Sequence, residues 1–251
     1  MRGFSISGQR AAGVVDLSSK EKSLTSNEKR PGWALFNVAP TKSLWRNSQS
    51  SHRESEGVEV DKLQTAATVL IVPGLREHVA EHWQTLLAAR LHNVRSVPPL
   101  TTDKLDCGAR VRAIEQQLQA IDGPVIVVAH SAGVLMVAHW AAHFAAQSRR
   151  PIKGALLVAP PDLDAPWPQG YPSPDTLRTQ GWSPLPTGPL PFPSLVVAST
   201  NDHLASLEAV SRMAAGWGAE LHNAGAVGHL NPAAGFGPWP LAETLIQALD
   251  R

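Results

Sequence analysis

The chain has 251 residues, of which 43% are hydrophobic, and a formal net charge of +1 at pH 7. This length suits one or two domains with a sizeable core. The near-neutral charge, without a dense Lys/Arg face, argues against nucleic acid as a main partner. The single cysteine, Cys107, cannot form a disulfide within the chain, and no apolar run approaches the roughly 18 residues of a membrane span. We therefore expect a cytoplasmic protein without a membrane partner.

Residues 1–65 differ in composition from the rest of the chain. They are rich in Ser, Lys, Arg, Glu and Asn and show no sustained period of 2 or 3.6 residues. A segment of this kind buries too little apolar surface to offset the entropy lost on ordering. The composition predicts a disordered extension over 1–65, or non-native sequence from an early start assignment, and a folded domain over 66–251.

From Ala67 onward, short apolar runs alternate with helical patterns. The predicted strands are 68–72, 94–97, 124–129, 154–159, 194–199 and 219–223. The predicted helices are 79–91, 108–121, 132–147, 205–217 and 240–249. This alternation favours a doubly wound α/β fold with a mainly parallel six-stranded sheet. The segment 160–193 contains eleven prolines, so we expect it to be irregular and to form a lid or a pocket wall.

A serine flanked by small residues stands between a predicted strand and a predicted helix. The sequence is His130-Ser131-Ala132-Gly133, with Ala129 before it. This pattern is typical of the nucleophile elbow Gly-x-Ser-x-Gly, with alanine in place of the first glycine. Such a turn exposes the serine hydroxyl and leaves amides at the helix start available to an oxyanion. The alternative is that Ser131 only caps the helix.

Candidates for an acid and a base follow Ser131 in the chain order that such hydrolases require. Asp202 lies on the loop after strand 194–199, at the end of the sheet where parallel sheets bind ligands. His229 lies in a glycine-rich loop after strand 219–223. Asp162, after strand 154–159, is a second candidate for the acid. We favour Asp202 because it follows the later strand directly.

The loop after the first strand is a candidate for the second half of an oxyanion hole. Gly74 allows close approach of the backbone, and the N–H of Leu75 would act together with that of Ala132. A plain strand-to-helix turn is the alternative for this segment. Candidates for contact with the substrate are Gly74, His130, Trp83 and Trp239. Packing or hydrogen bonding at the elbow is the alternative for His130, and a core role is equally compatible with the two tryptophans.

Other patterns give no reason to expect a metal or an organic cofactor. His139 and His143 have the spacing of the zinc motif His-Glu-x-x-His, but Trp140 stands where the motif needs glutamate. The glycines do not form Gly-x-Gly-x-x-Gly after a strand, so a nucleotide site has no support. Cys107 has no histidine nearby in sequence and is interpreted as a small apolar residue.

Together these motifs resemble the family of small α/β hydrolases typified by retinoblastoma-binding protein 9. The resemblance covers residues 67–251 and rests on Val72-Pro73-Gly74, Glu81-His82-Trp83-Gln84, Ala129-His130-Ser131-Ala132-Gly133, Asn201-Asp202, Gly228-His229-Leu230-Asn231 and Gly235-Phe236-Gly237-Pro238-Trp239-Pro240. It implies a compact hydrolase with little or no cap domain. It also implies that Ser131 is the nucleophile, Asp202 the acid and His229 the base. The sequence around Cys107 lacks the glutamate of a Leu-x-Cys-x-Glu motif, so retinoblastoma protein is not expected as a partner.

The resulting prediction is a serine hydrolase that cleaves small carboxylic esters or amides. Two alternatives stay open at this point. One is a binding protein that keeps the hydrolase fold without turnover, and the other is an acyltransferase with the same triad. The sequence does not identify the natural substrate or the oligomeric state.

Overall fold

The structure is a computed structural model that describes residues 62–147 and 150–251. Residues 1–61 of the predicted extension lie outside these ranges. Residues 62–65 correct the expected boundary, because they pack on the domain. The N–H of Leu63 donates to the carbonyl of Arg90 (2.8 Å), Leu63 forms a parallel bridge with Leu91, and Thr65 is buried. The folded part therefore begins by residue 62.

Six parallel strands form one sheet within the described ranges. They are β1 (Thr68–Val72), β2 (Val94–Ser96), β3 (Val125–His130), β4 (Ile152–Val158), β5 (Ser194–Ala198) and β6 (Glu220–Asn223). Their order across the sheet is β2-β1-β3-β4-β5-β6. Each predicted strand is present, with its ends shifted by at most two residues. The predicted doubly wound, parallel α/β fold is confirmed.

Six α-helices accompany the strands in the described ranges. They are α1 (Trp83–Arg90), α2 (Cys107–Gln119), α3 (Ala132–Phe144), α4 (Pro174–Thr179), α5 (Leu207–Trp217) and α6 (Pro240–Leu249). α1 begins four residues later than predicted because the His82 imidazole accepts from the N–H of Gln84 (3.2 Å) and caps the helix. None of these helices has the length and hydrophobicity needed to cross a membrane.

The helices cover the sheet in two layers. α2, α3 and α5 pack on one face, against alternate strand residues such as Leu70 and Val127. α1 and α6 pack on the other, against the intervening residues such as Val69 and Ile126. β3 is buried along its whole length, which is why it reads as a continuous apolar run and not as an alternating one.

Helix α4 corrects the expectation that the proline-rich segment 160–193 is irregular throughout. Ser173 accepts from the N–H of Thr176 (3.2 Å), and Pro174 occupies the first helical position, where a missing N–H costs nothing. Leu177 and Trp182 then enter the core on the α2–α3 side. This short helix is the only regular structure between β4 and β5, so the segment does not form a separate cap domain.

The strand order reverses between β1 and β3. β2 lies on one side of β1, while β3 and all later strands lie on the other. In open α/β sheets, ligands bind in the crevice above the carboxyl ends of the strands at such a reversal. The residues that leave these two ends are Pro73-Gly74 and Ser131. The topology therefore brings the two predicted halves of the site to one place.

The proline-rich segment contacts the C-terminal end of α5, and this contact leads to a prediction about stability. The Trp217 indole donates to the carbonyl of Pro186 (2.9 Å). A Cβ added to Gly216 would lie 2.7 Å from the carbonyl oxygen of Thr187. We expect Gly216→Ala to lower the free energy of unfolding by about 1–3 kcal/mol, although alanine favours a helix by about 1 kcal/mol over glycine. Urea denaturation measures this change.

Gly108 in α2 provides the matched control. A Cβ there would meet no backbone atom, only the ends of two side chains: the flexible guanidinium of Arg112 at 3.1 Å and the carboxylate oxygen of Asp106 at 3.3 Å. Gly108→Ala should therefore leave the stability unchanged or raise it slightly. Equal stability of the two alanine variants would show that the backbone of Thr187 yields to the added methyl group.

Candidate active site

Ser131 occupies a sharp turn between β3 and α3. Its backbone has φ 57° and ψ −131°, a region that residues with a Cβ rarely adopt. The Ser131 N–H donates to the carbonyl of Val158 on β4 (2.9 Å). Its side chain makes no capping hydrogen bond to α3, so the alternative interpretation of Ser131 as a helix cap is wrong. The turn has the geometry of a nucleophile elbow.

Two glycines allow the loop after β1 to pass directly against this turn. A Cβ on Gly133 would lie 2.4 Å from the carbonyl oxygen of Val72, and one on Gly74 would lie 3.1 Å from the Cβ of Ser131. Neither distance leaves room for a larger residue. Ala129, which replaces the first glycine of the usual motif, lies one step back inside β3, where its methyl group is buried in the core. The elbow therefore tolerates alanine there.

The structure brings Ser131, His229 and Asp202 together in one hydrogen-bonded chain. The Ser131 hydroxyl lies 2.8 Å from Nε2 of His229, and Nδ1 of the same ring lies 2.8 Å from Oδ2 of Asp202. The other carboxylate oxygen accepts from the N–H of Leu204 (2.9 Å). The side chains of His229 and Asp202 are 3% and 2% exposed, whereas Ser131 is only half-buried. The arrangement presents one hydroxyl to solvent and shields the groups behind it.

Asp162, the competing acid, has a different environment. Its carboxylate accepts from the N–H of Asp164 (2.9 Å), its own N–H donates to the carbonyl of Leu204, and its carbonyl accepts from the Trp167 indole. None of its hydrogen bonds in the described part of the chain goes to His229. Asp162 therefore organises the start of the proline-rich segment.

The two amides predicted for an oxyanion hole are unengaged. Neither the N–H of Leu75 nor that of Ala132 donates to an acceptor among the described residues. Ala132 is the first residue of α3, so its N–H is one of the four that a helix leaves without a partner. Gly74, the residue before Leu75, lies close to the nucleophile: a Cβ built on it would lie 3.5 Å from the Ser131 hydroxyl oxygen. Both donors are available to a developing negative charge.

Ser199 and Asn201 join the acid loop to the histidine loop, a role that the sequence analysis missed. The Ser199 hydroxyl accepts from the N–H of Val227 (3.1 Å), and the Asn201 side chain accepts from the N–H of Gly228 (2.6 Å). Ser and Asn are turn-forming residues. Their position beside a candidate acid was the one sequence signal that pointed to a structured loop. The residues they bind are 27 or 28 positions away, and local patterns do not reveal such partners.

His130 was predicted to contact the substrate, and the structure corrects this. Its ring is buried, and its Nε2 lies 2.9 Å from the backbone carbonyl of His229, to which it donates. Burial, followed by the neighbouring His229 and His82, holds the pKa of His130 well below its ordinary value. A neutral imidazole in this position supports the backbone of His229 and does not face the substrate.

Trp83 is likewise a core residue and not part of an open pocket. It is 1% exposed and contacts the rings of Trp239 and His130 edge to face. Trp239 is half-buried, and its ring contacts are with Trp83 and Phe236. Of the predicted substrate contacts, only Gly74 lies against the nucleophile, because the other three side chains pack on the α1–α6 side of the sheet.

The histidine pair on α3 and the single cysteine have structural surroundings. His139 binds the carbonyl of Trp182 (3.0 Å), and His143 binds the carbonyl of His139 (2.7 Å). Among the described residues no group of His, Cys, Asp or Glu is arranged to hold a metal ion. Burial raises the pKa of the Cys107 thiol to about 12, so it carries no thiolate at neutral pH.

Comparison with known proteins decides the family. The model of the serine hydrolase family matches residues 69–248. The chain belongs to this family. It is an α/β-fold serine hydrolase, in agreement with the resemblance seen in its motifs.

Solved structures agree with this assignment. A YdeN-like hydrolase from Pectobacterium atrosepticum is 29% identical, with a TM-score of 0.61, over 74% of this chain and 93% of that one. The ydeN gene product of B. subtilis is 19% identical, with a TM-score of 0.57, over 73% of this chain and 98% of that one. Est1E from Butyrivibrio proteoclasticus, in a structure with ferulic acid bound, is 14% identical, with a TM-score of 0.53, over 74% of this chain and 87% of that one. The last two show the shared fold alone. A comparison with curated proteins finds no match.

His82 is buried, and its ring lies next to that of His130. Its environment leads to a prediction about stability in acid. Burial, and then the nearby His229, lower the pKa of His82 to about 4 from its ordinary value of 6.5. Between these values the unfolded chain binds more protons than the folded one. The free energy of unfolding should therefore fall as the pH drops from 6.5 towards 4. His82→Asn keeps a capping acceptor and should remove on the order of 1–2 kcal/mol of this loss.

Urea denaturation of both proteins near pH 7 and near pH 4.5 measures the difference. His92→Asn is the matched control, because it removes an exposed histidine and not a buried one. An identical loss of stability in wild type and His82→Asn would assign the acid sensitivity to other groups.

Proposed function

We propose that this serine hydrolase cleaves small carboxylic esters or amides through an acyl-enzyme formed on Ser131. The observation that carries the proposal is the hydrogen-bonded chain from Ser131 through His229 to Asp202. It lies at the crevice where the strand order reverses and beside two unengaged amides. Nucleophile, base, orienting acid and oxyanion donors are thus all supplied by the described residues.

In the proposed mechanism Ser131 attacks the substrate carbonyl while Nε2 of His229 accepts its proton. Asp202 accepts the Nδ1–H of the same ring, which keeps the lone pair of Nε2 directed at the hydroxyl and stabilises the imidazolium. The amides of Leu75 and Ala132 bind the negative oxygen of the tetrahedral intermediate. His229 then donates the proton to the leaving group. Water repeats the sequence on the acyl-enzyme and releases the acid.

A small substrate fits the limited walls around the site. The segment between β4 and β5 adds only the six-residue α4 and no separate cap domain. Each methylene group that finds an apolar surface contributes about 0.8 kcal/mol, and a site with few walls stops gaining binding energy at short chains. This argument supports short acyl esters or amides over long-chain lipids.

The first test of this function is covalent labelling of the nucleophile. We expect a fluorophosphonate probe to label the wild-type protein at Ser131, because only an activated serine reacts rapidly with it. Ser131→Ala should abolish labelling and leave the thermal unfolding temperature within a few degrees of wild type. Peptide mapping of the labelled protein provides the measurement. An unlabelled wild type would favour a binding protein on a hydrolase fold, and labelling at another serine would move the site.

The second test separates the two acids. Asp202→Asn removes the charge that stabilises the imidazolium and presents a group that can hold His229 in the wrong tautomer. We expect kcat to fall by about 10²–10⁴, which is about 2.7–5.5 kcal/mol of transition-state stabilisation. Asp162→Asn is the matched control and should cost less than about tenfold, because its carboxylate binds only the nearby amide of Asp164. Circular dichroism checks that both variants are folded. A larger loss for Asp162→Asn would contradict the proposed triad.

A further inference from the structure

An aromatic and cationic rim lies next to the triad, formed by His203, Tyr171, Trp167 and Arg76. His203 follows the acid Asp202 directly, and its ring lies edge to face with that of His229, with centroids 5.5 Å apart. The His203 side chain is 46% exposed. It therefore extends the buried triad out to the solvent.

Tyr171 brings the proline-rich segment to this point. Its hydroxyl lies 3.4 Å from Nε2 of His203, and the two ring centroids are 6.0 Å apart. Trp167 packs edge-on against Tyr171, with centroids 6.0 Å apart. Both aromatic rings are partly exposed. Their ring planes stand at 85° to each other, and together they form an aromatic wall next to His203.

Arg76 is the fourth residue of the rim and contacts Tyr171. Its guanidinium carbon lies 5.7 Å from the centroid of the Tyr171 ring, a cation–π contact. Arg76 is the next residue after Leu75, and two after Gly74, which lies against Ser131. The contacts thus run in a circuit from Ser131 through His229, His203, Tyr171 and Arg76 back to the loop beside Ser131.

The charge of Arg76 has no carboxylate partner within the described residues. The acid nearest in sequence, Glu77, is engaged elsewhere: it lies 3.3 Å from Lys104 and 3.6 Å from Arg110. Asp162 in the facing segment binds the amide of Asp164. An exposed guanidinium beside an oxyanion loop, without an anion of its own, can receive one from a substrate.

From this rim we infer that the substrates are esters whose leaving group is a planar ring that carries a carboxylate. The inference rests on the proposed function, in which His229 delivers a proton to the leaving group. That group must therefore lie beside His229, whose ring contacts that of His203, and the His203 ring in turn contacts Tyr171. A ring stacks on this wall, and an anionic substituent reaches the guanidinium of Arg76. The leaving group is a hydroxybenzoate in chemical terms.

The experiment compares two aryl acetates that differ in one charge, 3-carboxyphenyl acetate and its neutral counterpart 3-carbamoylphenyl acetate. For each protein variant we take the ratio of kcat/KM for the charged ester to that for the neutral ester. Dividing this ratio by that of wild type cancels the intrinsic reactivity of the two esters. Arg76→Gln removes the cation and Arg76→Lys keeps it. Arg212→Gln, which removes one exposed positive charge on α5, is the matched control.

We expect Arg76→Gln to lower the ratio by about twofold to fivefold, the size of one exposed charge pair. Arg76→Lys should retain most of the wild-type ratio, and Arg212→Gln should leave the ratio within about 1.5-fold of wild type. Raising the ionic strength from about 0.02 M to about 0.5 M should lower the wild-type ratio and leave that of Arg76→Gln unchanged.

Three outcomes would overturn the inference. One is an unchanged ratio in Arg76→Gln, and another is an equal fall in Arg212→Gln, which would indicate a general field effect. The third is failure to hydrolyse either ester while Ser131 is still labelled by the fluorophosphonate probe. This last result would leave the proposed function standing, whereas the absence of labelling in wild type would overturn both.

Discussion

The backbone of Ser131 is the constraint on which the rest of the site depends. A residue with a Cβ at φ 57° and ψ −131° costs on the order of 1–3 kcal/mol, and it persists only where neighbouring structure fixes it. The hydrogen bond from its N–H to Val158 fixes it on β4, and the contact of Gly133 with the carbonyl of Val72 fixes it on β1. The order β1-β3-β4 in the sheet is therefore what holds the serine in place. The contact with Val72 also explains why Gly133 has to be small.

Much of this fold could be predicted from the sequence because its four central strands, β1, β3, β4 and β5, are mostly buried on both faces. A strand such as β3 has no polar face, so its apolar run marks it without reference to the rest of the molecule. Ser131 could be found because small residues surround it, and Asp202 was favoured by its place directly after β5. α4 could not be found in this way. Its capping serine and first-turn proline provided a local signal, but eleven prolines nearby outweighed it.

The roles of His130 and Trp83 depended on contacts that no local pattern contains. His130 binds the carbonyl of a residue 99 positions away, and Trp83 packs on Trp239. A large aromatic residue or a histidine near a predicted site is compatible with either a pocket or a core. Which role it takes is decided by the face of the sheet on which the helices α1 and α6 lie. The handedness of the connections and the packing of the whole domain determine that face. Local sequence patterns therefore do not reveal it.

His229, the proposed base, lies in a glycine-rich loop and has to be held against the conformational freedom of that loop. The support comes from three directions. Asp202 holds the ring of His229, His130 holds its carbonyl, and Asn201 holds the N–H of Gly228 just before it. Gly228 and Leu230 both adopt positive φ, so the turn is a defined one. Fixing a base within a fraction of an ångström avoids an entropic cost during the reaction. Ser199 and Asn201 tie the loop of Asp202 to that of His229, because they accept hydrogen bonds from the N–H groups of Val227 and Gly228. The proposed acid and base are thus fixed relative to each other by backbone contacts and by their own hydrogen bond.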